Sequence, residues 1–326
     1  MNVLVLGSTG FIGTNLTNKL KTLNSSALGA PLSPEVDGNK INVTGASRAL
    51  GIDLRDYEQT KQLLIDSQPQ FIFNLASHGG SLHYVKEKAS DVLNDNIQMT
   101  LNIYKAMVEV GCTATIIQPF SNCSYPGGTQ LQKENEWESG PVHESIFSFG
   151  NSKRTIYYIS KCYLMQHGIK TINLILPNTY GPGDSVDPNH THALNGMIIR
   201  MLQAKKAGDS EFVVWGTGSP VREWCYVDDF SDALIRASVL VATEYGTTAK
   251  PFNVGQEKGH SIAESAHLIK EAIGYEGEIV FDTSYADGDA MKVLHSAVIR
   301  DWWPNFSFFD HKQGIINTAK YYEDKV

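Results

Sequence analysis

The apolar run Asn2-Val3-Leu4-Val5-Leu6 opens directly into Gly7-Ser8-Thr9-Gly10-Phe11-Ile12-Gly13, after which apolar residues recur at helical spacing. A strand, a glycine turn and a helix in this order leave few folds open. The chain must reverse at Gly7, bare its backbone at Gly10 and pack helix on strand at Gly13, while the helix N-terminus turns its unpaired N–H groups outward. Those groups suit a pyrophosphate. Gly7, Ser8, Thr9, Gly10, Phe11, Ile12 and Gly13 are therefore assigned to a bound dinucleotide.

The same rhythm continues. Strands are predicted near 2–6, 41–44, 70–75, 113–120 and 171–177, and helices near 11–23, 56–67, 90–110 and 149–167. Alternation of this kind belongs to a parallel sheet covered on both faces, so the fold class is α/β, a Rossmann-type doubly wound sheet. Asn24 to Asn39, with two prolines and two glycines, reads as an inserted surface loop. Beyond Pro177 shorter strands (212–215, 252–254, 279–281) mix with helices (192–207, 228–242, 261–273), which predicts a smaller C-terminal α/β lobe. Residues 1–177 are read as the dinucleotide-binding domain and 178–326 as mainly the substrate lobe, with elements that return to the first domain.

Composition narrows the partners. A 326-residue chain with 42% hydrophobic and 19% charged residues is neither disordered nor fibrous, and its net charge of −8 argues against nucleic acid or an anionic membrane as partner. No apolar stretch is long enough to span a bilayer, and the N-terminus enters a strand without a secretory signal, so a cytoplasmic home is expected. Cys112, Cys123, Cys162 and Cys225 are widely spaced, which suits reduced thiols; no metal site is expected.

An acid at the end of the second strand would accept from an adenosine 2′-hydroxyl and repel a 2′-phosphate. Here Ile41-Asn42-Val43-Thr44 leads to Gly45-Ala46-Ser47-Arg48. Ser47 and Arg48 thus favour NADP(H), with NAD(H) left open because Arg48 also reads as a solvated surface arginine.

Gly7-x-x-Gly10-x-x-Gly13, Asp53-Leu54-Arg55-Asp56, Asn74-Leu75-Ala76 and Asn178-Thr179-Tyr180-Gly181-Pro182 together resemble the extended short-chain dehydrogenase/reductases that act on nucleotide sugars. Ser121-Asn122-Cys123-Ser124-Tyr125-Pro126, Leu176-Pro177-Asn178, Trp215-Gly216-Thr217-Gly218-Ser219-Pro220-Val221-Arg222-Glu223 and Val227-Asp228-Asp229 narrow the resemblance to the GDP-L-fucose synthase family, the 3,5-epimerase/4-reductases of GDP-4-keto-6-deoxymannose. The resemblance runs through nearly the whole chain. It implies that Asp53, Leu54, Leu75, Ala76, Lys153 and Pro177 join the glycine turn around the cofactor. Ser121 would hydrogen-bond the sugar's C4 oxygen, Cys123 would act as base in the epimerisations, and His192 would return a proton from the opposite face. Inverting a carbon beside a ketone needs such a pair, and a thiol and an imidazole both titrate near neutral pH. His190 competes with His192, and a small buried residue is the plain alternative for Cys123.

Arg222 is a candidate for the sugar pyrophosphate and Arg200 a second candidate for phosphate or sugar contact, since a guanidinium matches phosphate oxygens bidentately; a surface salt bridge is the alternative for Arg200. Trp215 walls the sugar or fills the core. Asn178 positions substrate at the sheet's carboxyl edge, or initiates a turn.

The superfamily's Tyr-x-x-x-Lys occurs literally as Tyr157-Tyr158-Ile159-Ser160-Lys161, and with the wrong first residue as Phe149-Gly150-Asn151-Ser152-Lys153. The family's spacing from the serine fits Phe149, 28 residues after Ser121, better than Tyr157, 36 after. Eight helical residues are about 12 Å, too far for both to serve one cofactor. Phe149 therefore stands at the position of the catalytic tyrosine without its hydroxyl. Either it is a substitution made to trap an enzyme with its substrate, which the intact Ser121, Cys123, Lys153, His192 and Arg222 favour, or it belongs to a natural member that does not need this proton transfer.

The expected function is a nucleotide-sugar epimerase/4-reductase, GDP-linked by resemblance, crippled in proton-coupled hydride transfer by Phe149. A C4-reductase, 4-dehydrogenase or C4-epimerase on another nucleotide sugar or heptose is the alternative, and a catalytically silent sugar-nucleotide sensor the alternative of another class. A 4,6-dehydratase is disfavoured, because Asn122-Cys123 replaces its Asp-Glu pair. The resemblance also implies a homodimer formed through the helices near 90–110 and 149–167.

Overall fold

Six parallel strands form the main sheet: Asn2–Leu6 (β1), Asn42–Ala46 (β2), Phe71–Asn74 (β3), Thr115–Ser121 (β4), Thr171–Leu176 (β5) and Phe252–Asn253 (β6), in the order β6-β5-β4-β3-β1-β2. The computed structural model describes residues 1–23, 28 and 40–326; apart from Leu28, which is buried, the loop expected over 24–39 lies outside them. Side chains of β1 alternate between two cores. Val3 and Val5 pack with Leu16 and Leu20 of helix α1 (Phe11–Thr22) and with Phe230 and Leu234, whereas Leu4 and Leu6 pack with Leu63 and Leu64 of α2 (Tyr57–Ser67) and Ile103 and Met107 of α3 (Ala89–Val110). This period of two, apolar on both sides, is what a doubly covered strand requires. Helix α4 (Phe147–His167) lies beside α3 on the second face.

The chain order reverses between β1 and β3, and that switch point is where open α/β sheets bind ligands. Gly7 sits there with φ +76°, in the left-handed region, and a Cβ on it would stand 2.8 Å from the backbone nitrogen of Ala76. Only glycine fits so close a crossing.

The second lobe is built around Val221–Tyr226, a strand the sequence reading did not predict. It pairs with Asn178–Tyr180, Gly259–Ser261 and Met291–Lys292, while Glu211–Trp215 pairs with Glu278–Asp282. Helices Ala193–Ala207, Ile262–Ile273 and His311–Glu323 bury Trp224, Tyr226, Phe212 and Val214 beneath them. The last helix was also not predicted. Two elements from this half return to the first: Val227–Ala237 packs on α1, and β6 pairs with Leu174 and Ile175 of β5. Among the described residues no helix is long and apolar enough to cross a membrane.

Candidate active site

The glycine turn forms an open cradle. Gly10 caps α1 without a side-chain hydrogen bond, no acid occupies the first turn, and a Cβ on Gly13 would overlap the Gly7 carbonyl oxygen. Buried Ser8 Oγ has no hydrogen-bond partner among the described residues. Beside it Thr9 Oγ1 donates to Ser47 Oγ at 2.9 Å, and Arg48 begins an exposed 3₁₀ turn with no ion pair among the described residues. These groups fit a dinucleotide with an adenosine 2′-phosphate. Asp53 pairs with exposed Arg55, its carboxyl held below the usual range chiefly by that hydrogen bond, and Leu54 is buried with its carbonyl accepting from Thr60 and Asn102. Leu75 continues β3 by donating to Leu6 O at 3.0 Å, and with Ala76 lies half-buried across from Gly7.

Ser121 ends β4, and its Oγ accepts from Cys123 N at 3.2 Å, capping the short turn Asn122–Ser124. Lys292, from the two-residue strand Met291–Lys292, is 5% exposed and donates to Cys123 Sγ at 3.3 Å. Burial pushes the Cys123 thiol up, but Lys292, Ser121 and Arg222 together outweigh it and hold the thiol below its usual value. A buried small cysteine would have no ammonium aimed at it. Lys292 is the largest omission of the sequence reading, and no local pattern marks it.

Lys153, on α4, is buried, donates to Ser77 Oγ at 3.1 Å and stands 5.1 Å over the Phe149 ring; burial lowers its ammonium to about 8. Phe149 rests on the loop after β3, where a Cβ on Gly79 would lie 3.1 Å from its ring. Tyr157 faces elsewhere, packed edge-on to Trp137 at 5.2 Å in a cluster with Phe120, Tyr125 and Ile175. Arg154 straps the turn bearing Ser121 and Cys123: its guanidinium donates to the carbonyls of Ser124 (2.7 Å), Gly140 (2.7 Å) and Trp137 (2.8 Å). Replacing Arg154 with methionine should destabilise the fold by about 2–4 kcal/mol and speed amide exchange across 122–140, as measured by hydrogen–deuterium exchange.

His192 caps the Ala193–Ala207 helix, with its ring 5.4 Å from that of Phe11 in the glycine turn. Its Nδ1 lies 3.0 Å from Asp184 Oδ2, which also accepts from His192 N (2.8 Å) and Asn195 Nδ2 (2.9 Å). Burial raises the Asp184 carboxyl, yet His192 and Asn195 bring it below its usual value. A carboxylate at Nδ1 fixes the ring and frees Nε2 for proton transfer. His190 instead packs against Tyr84, 4.9 Å between rings.

Arg222 is half-buried beneath the loop of Asp287, Gly288 and Asp289, near Cys123. Arg200 donates to Val213 O at 3.2 Å and lies 4.6 Å over Trp215; it makes no ion pair among the described residues, contrary to its surface salt-bridge alternative. Trp215 is 56% exposed and stacked on Tyr285 at 5.2 Å, so it is not a core residue. Asn178 opens a strand that pairs with Trp224 rather than a turn, and the preceding Pro177 is buried. Glu223, beside Arg222, is fully buried and accepts from the backbone N–H groups of Gln256, Glu257 (3.0 Å) and Leu294 (2.8 Å). It is a clamp between loops.

A probable GDP-L-fucose synthase 1 of Oryza sativa subsp. japonica is 29% identical over 327 residues, covering 99% of this chain and 92% of that protein. A GDP-L-fucose synthetase from Naegleria fowleri bound to NADP superposes with a TM-score of 0.82 at 26% identity, over 99% of this chain and 92% of that one. The fold is shared with a GDP-6-OMe-4-keto-L-xylo-heptose reductase from C. jejuni, at a TM-score of 0.85, 19% identity and coverage of 99% and 98%. The profile of the NAD dependent epimerase/dehydratase family matches residues 3–255, from the glycine cradle through Ser121, Lys153 and His192 to the sixth strand of the sheet, and the chain belongs to that family.

Proposed function

We propose that this chain is a nucleotide-sugar epimerase/4-reductase acting on a GDP-linked 4-keto-6-deoxy sugar with NADPH, in the cytoplasm, where its thiols stay reduced. The observation that carries the reading is the buried Lys292 ammonium on Cys123 Sγ, which prepares a thiolate at the carboxyl edge of a dinucleotide-binding sheet. Thiolate and carboxylate-held imidazole then divide the work. Cys123 removes the proton from the carbon beside the ketone, Ser121 hydrogen-bonds the C4 oxygen, and His192, held by Asp184, returns a proton to the other face. Arg222 and Arg200 meet the sugar pyrophosphate, and Lys153 binds the nicotinamide ribose. The reduced nicotinamide, when bound, supplies the two electrons and the hydrogen that convert the C4 ketone to an alcohol. Names of the relatives support GDP and NADP.

The test is incubation with GDP-4-keto-6-deoxymannose in D₂O, followed by NMR of C3 and C5 and by NADPH consumption. Deuterium at both carbons together with reduction is the expected result where another group replaces the missing hydroxyl of Phe149, and exchange without reduction is the result of the lesion expected at Phe149. Reduction without exchange would leave a C4-reductase, and a bound keto sugar that neither exchanges nor is reduced would leave a binding protein.

For the cofactor, Arg48→Ala should weaken NADPH about 10- to 100-fold and NADH less than about threefold, measured by fluorescence titration, because a charge-assisted contact to the 2′-phosphate is lost. Homodimerisation through α3 and α4 is proposed from the apolar side chains Val108, Tyr158 and Met165 that these helices expose.

A further inference from the structure

Phe149 leaves the C4 oxygen without the hydroxyl its position would supply, yet a phenol, Tyr84, stands on the short helix Leu82–Glu87 that follows the Gly79-Gly80 loop against which Phe149 rests. Gly79 and Gly80 are consecutive residues, about 3.8 Å apart at Cα. A Cβ on Gly79 would lie 3.1 Å from the Phe149 ring, and one on Gly80 would lie 2.6 Å from Cδ1 of Tyr84. Tyr84, Phe149 and Cys123 pack against one apolar patch of Val85, Val92, Val142 and Ile146. On its other side Tyr84 meets His190, and Ser81 N donates to Asn189 O at 2.8 Å, which ties this loop to the one bearing His192.

The Tyr84 hydroxyl has an ionisable backing. His78 Nε2 lies 2.8 Å from Tyr84 OH, and His78 Nδ1 lies 2.9 Å from Asp95 Oδ2, which also pairs with Arg55 at 3.1 Å. The His78 backbone is locked as well. Asn96, 2% exposed, accepts from His78 N and donates to His78 O, both at 2.8 Å. A tyrosine that served packing alone would need neither an imidazole nor a carboxylate behind it.

We propose that Tyr84, resupplied by His78 that Asp95 holds in place, is the acid that protonates the sugar's C4 oxygen in place of the hydroxyl absent from Phe149. The proposal rests on the epimerase/reductase reading. As negative charge develops on the C4 oxygen, the Tyr84 proton moves to it and the Nε2 proton of the imidazolium form of His78 moves to the Tyr84 oxygen. His78 ends neutral, with Nδ1–H still on the Asp95 carboxylate, and recovers its proton from water. The same transfer serves enolisation, when Cys123 takes the neighbouring carbon's proton, and reduction, when C4 receives two electrons and a hydrogen from the nicotinamide. Tyr84 is then a catalytic residue; His78 and Asp95 are positioning residues.

The experiment uses Tyr84→Phe, which keeps the ring and the apolar patch. Deuterium exchange at C3 and C5 of GDP-4-keto-6-deoxymannose, measured without any nicotinamide, and reduction measured with NADPH should both fall on the order of 10²-fold or more, while the Kd for the sugar nucleotide changes less than about threefold. Phe149→Tyr in the Tyr84→Phe background should restore at least about tenfold of each rate, a rescue that a structural role for Tyr84 would not produce. His78→Gln should lower kcat with little change in KM. Exchange and reduction within about threefold of the unsubstituted chain in Tyr84→Phe, or no rescue by Phe149→Tyr with binding intact, overturns the proposal. An unsubstituted chain that binds the keto sugar and shows neither reaction overturns the functional reading itself, and this is seen before any variant is made.

Discussion

Replacing Lys292 with methionine is expected to slow deuterium exchange at C3 and C5 about 10- to 100-fold at neutral pH and to move the rising limb of its pH profile upward. The reason is electrostatic. Cys123 is held in a buried environment that raises its thiol, and Lys292 at 3.3 Å is the foremost of the groups that reverse this. Without the ammonium, burial loses its foremost opponent and the thiol titrates higher than in the unsubstituted chain, so the thiolate fraction at neutral pH drops about tenfold for each unit of the rise. The sign is specific: the loss should be largest below the new midpoint and should vanish at alkaline pH, where both forms are thiolate. Alkylation of Cys123 by iodoacetamide in the ligand-free protein gives the same comparison without catalysis. A loss of exchange that is equal at every pH would mean that Lys292 acts on the substrate and not through the thiol.

Glu223→Ala should be the most destabilising single change, at about 3–5 kcal/mol by urea unfolding, because it leaves three backbone donors, the Leu294 amide buried and those of Gln256 and Glu257 partly buried, without an acceptor. The amides of Gln256 and Glu257 and that of Leu294 come from different segments, so their common acceptor fastens the turn at 255–257 to the strand that follows Lys292. Burial raises the Glu223 carboxyl to about 7 in spite of these amides. An unfolded chain releases this proton near the ordinary carboxylate range, so between there and pH 7 the folded state holds more protons than the unfolded one. The contribution of this group to stability is therefore largest at mildly acid pH and declines as pH rises towards 7. Glu223→Gln should remove that dependence and cost less than alanine, which a pair of urea titrations at two pH values will read.

The dinucleotide half of the fold is legible because its signals are local. The glycine turn fixes one crossing, and alternating Val and Leu in β1 announce burial on both faces within five residues. The second lobe is written differently. Val221-Arg222-Glu223-Trp224-Cys225-Tyr226 carries two charges, which disguise a central strand, and the partners that make them tolerable arrive only on folding: three amides for Glu223, and Cys123, Asp287 and Asp289 near Arg222. The helix His311–Glu323 hides for a similar reason. Gly314 interrupts its pattern because a side chain there would overlap the Tyr180 hydroxyl, a contact 134 residues away in sequence. Among the residues proposed for the site, Ser121, Cys123, Lys153, His192 and Arg222 are reached through motif resemblance. Lys292, Asp184 and Tyr84 were not: the first lies on a two-residue strand, the second reads as part of a Gly-Pro-Gly-Asp turn, and the third matters only through a histidine six positions earlier.

The sheet's last strand, β6, has a consequence for how the protein is made. Until Phe252 and Asn253 have left the ribosome, β5 ends the sheet with unpaired backbone groups and six buried-type residues, Thr171 to Leu176, at a bare edge. At about 5–20 residues per second, the 75 residues between these strands take roughly 4–15 s to synthesise. During that interval the nascent chain carries a complete nucleotide cradle on an unfinished sheet. Chaperone engagement and any aggregation during synthesis should therefore concentrate in the window that closes when residue 253 emerges.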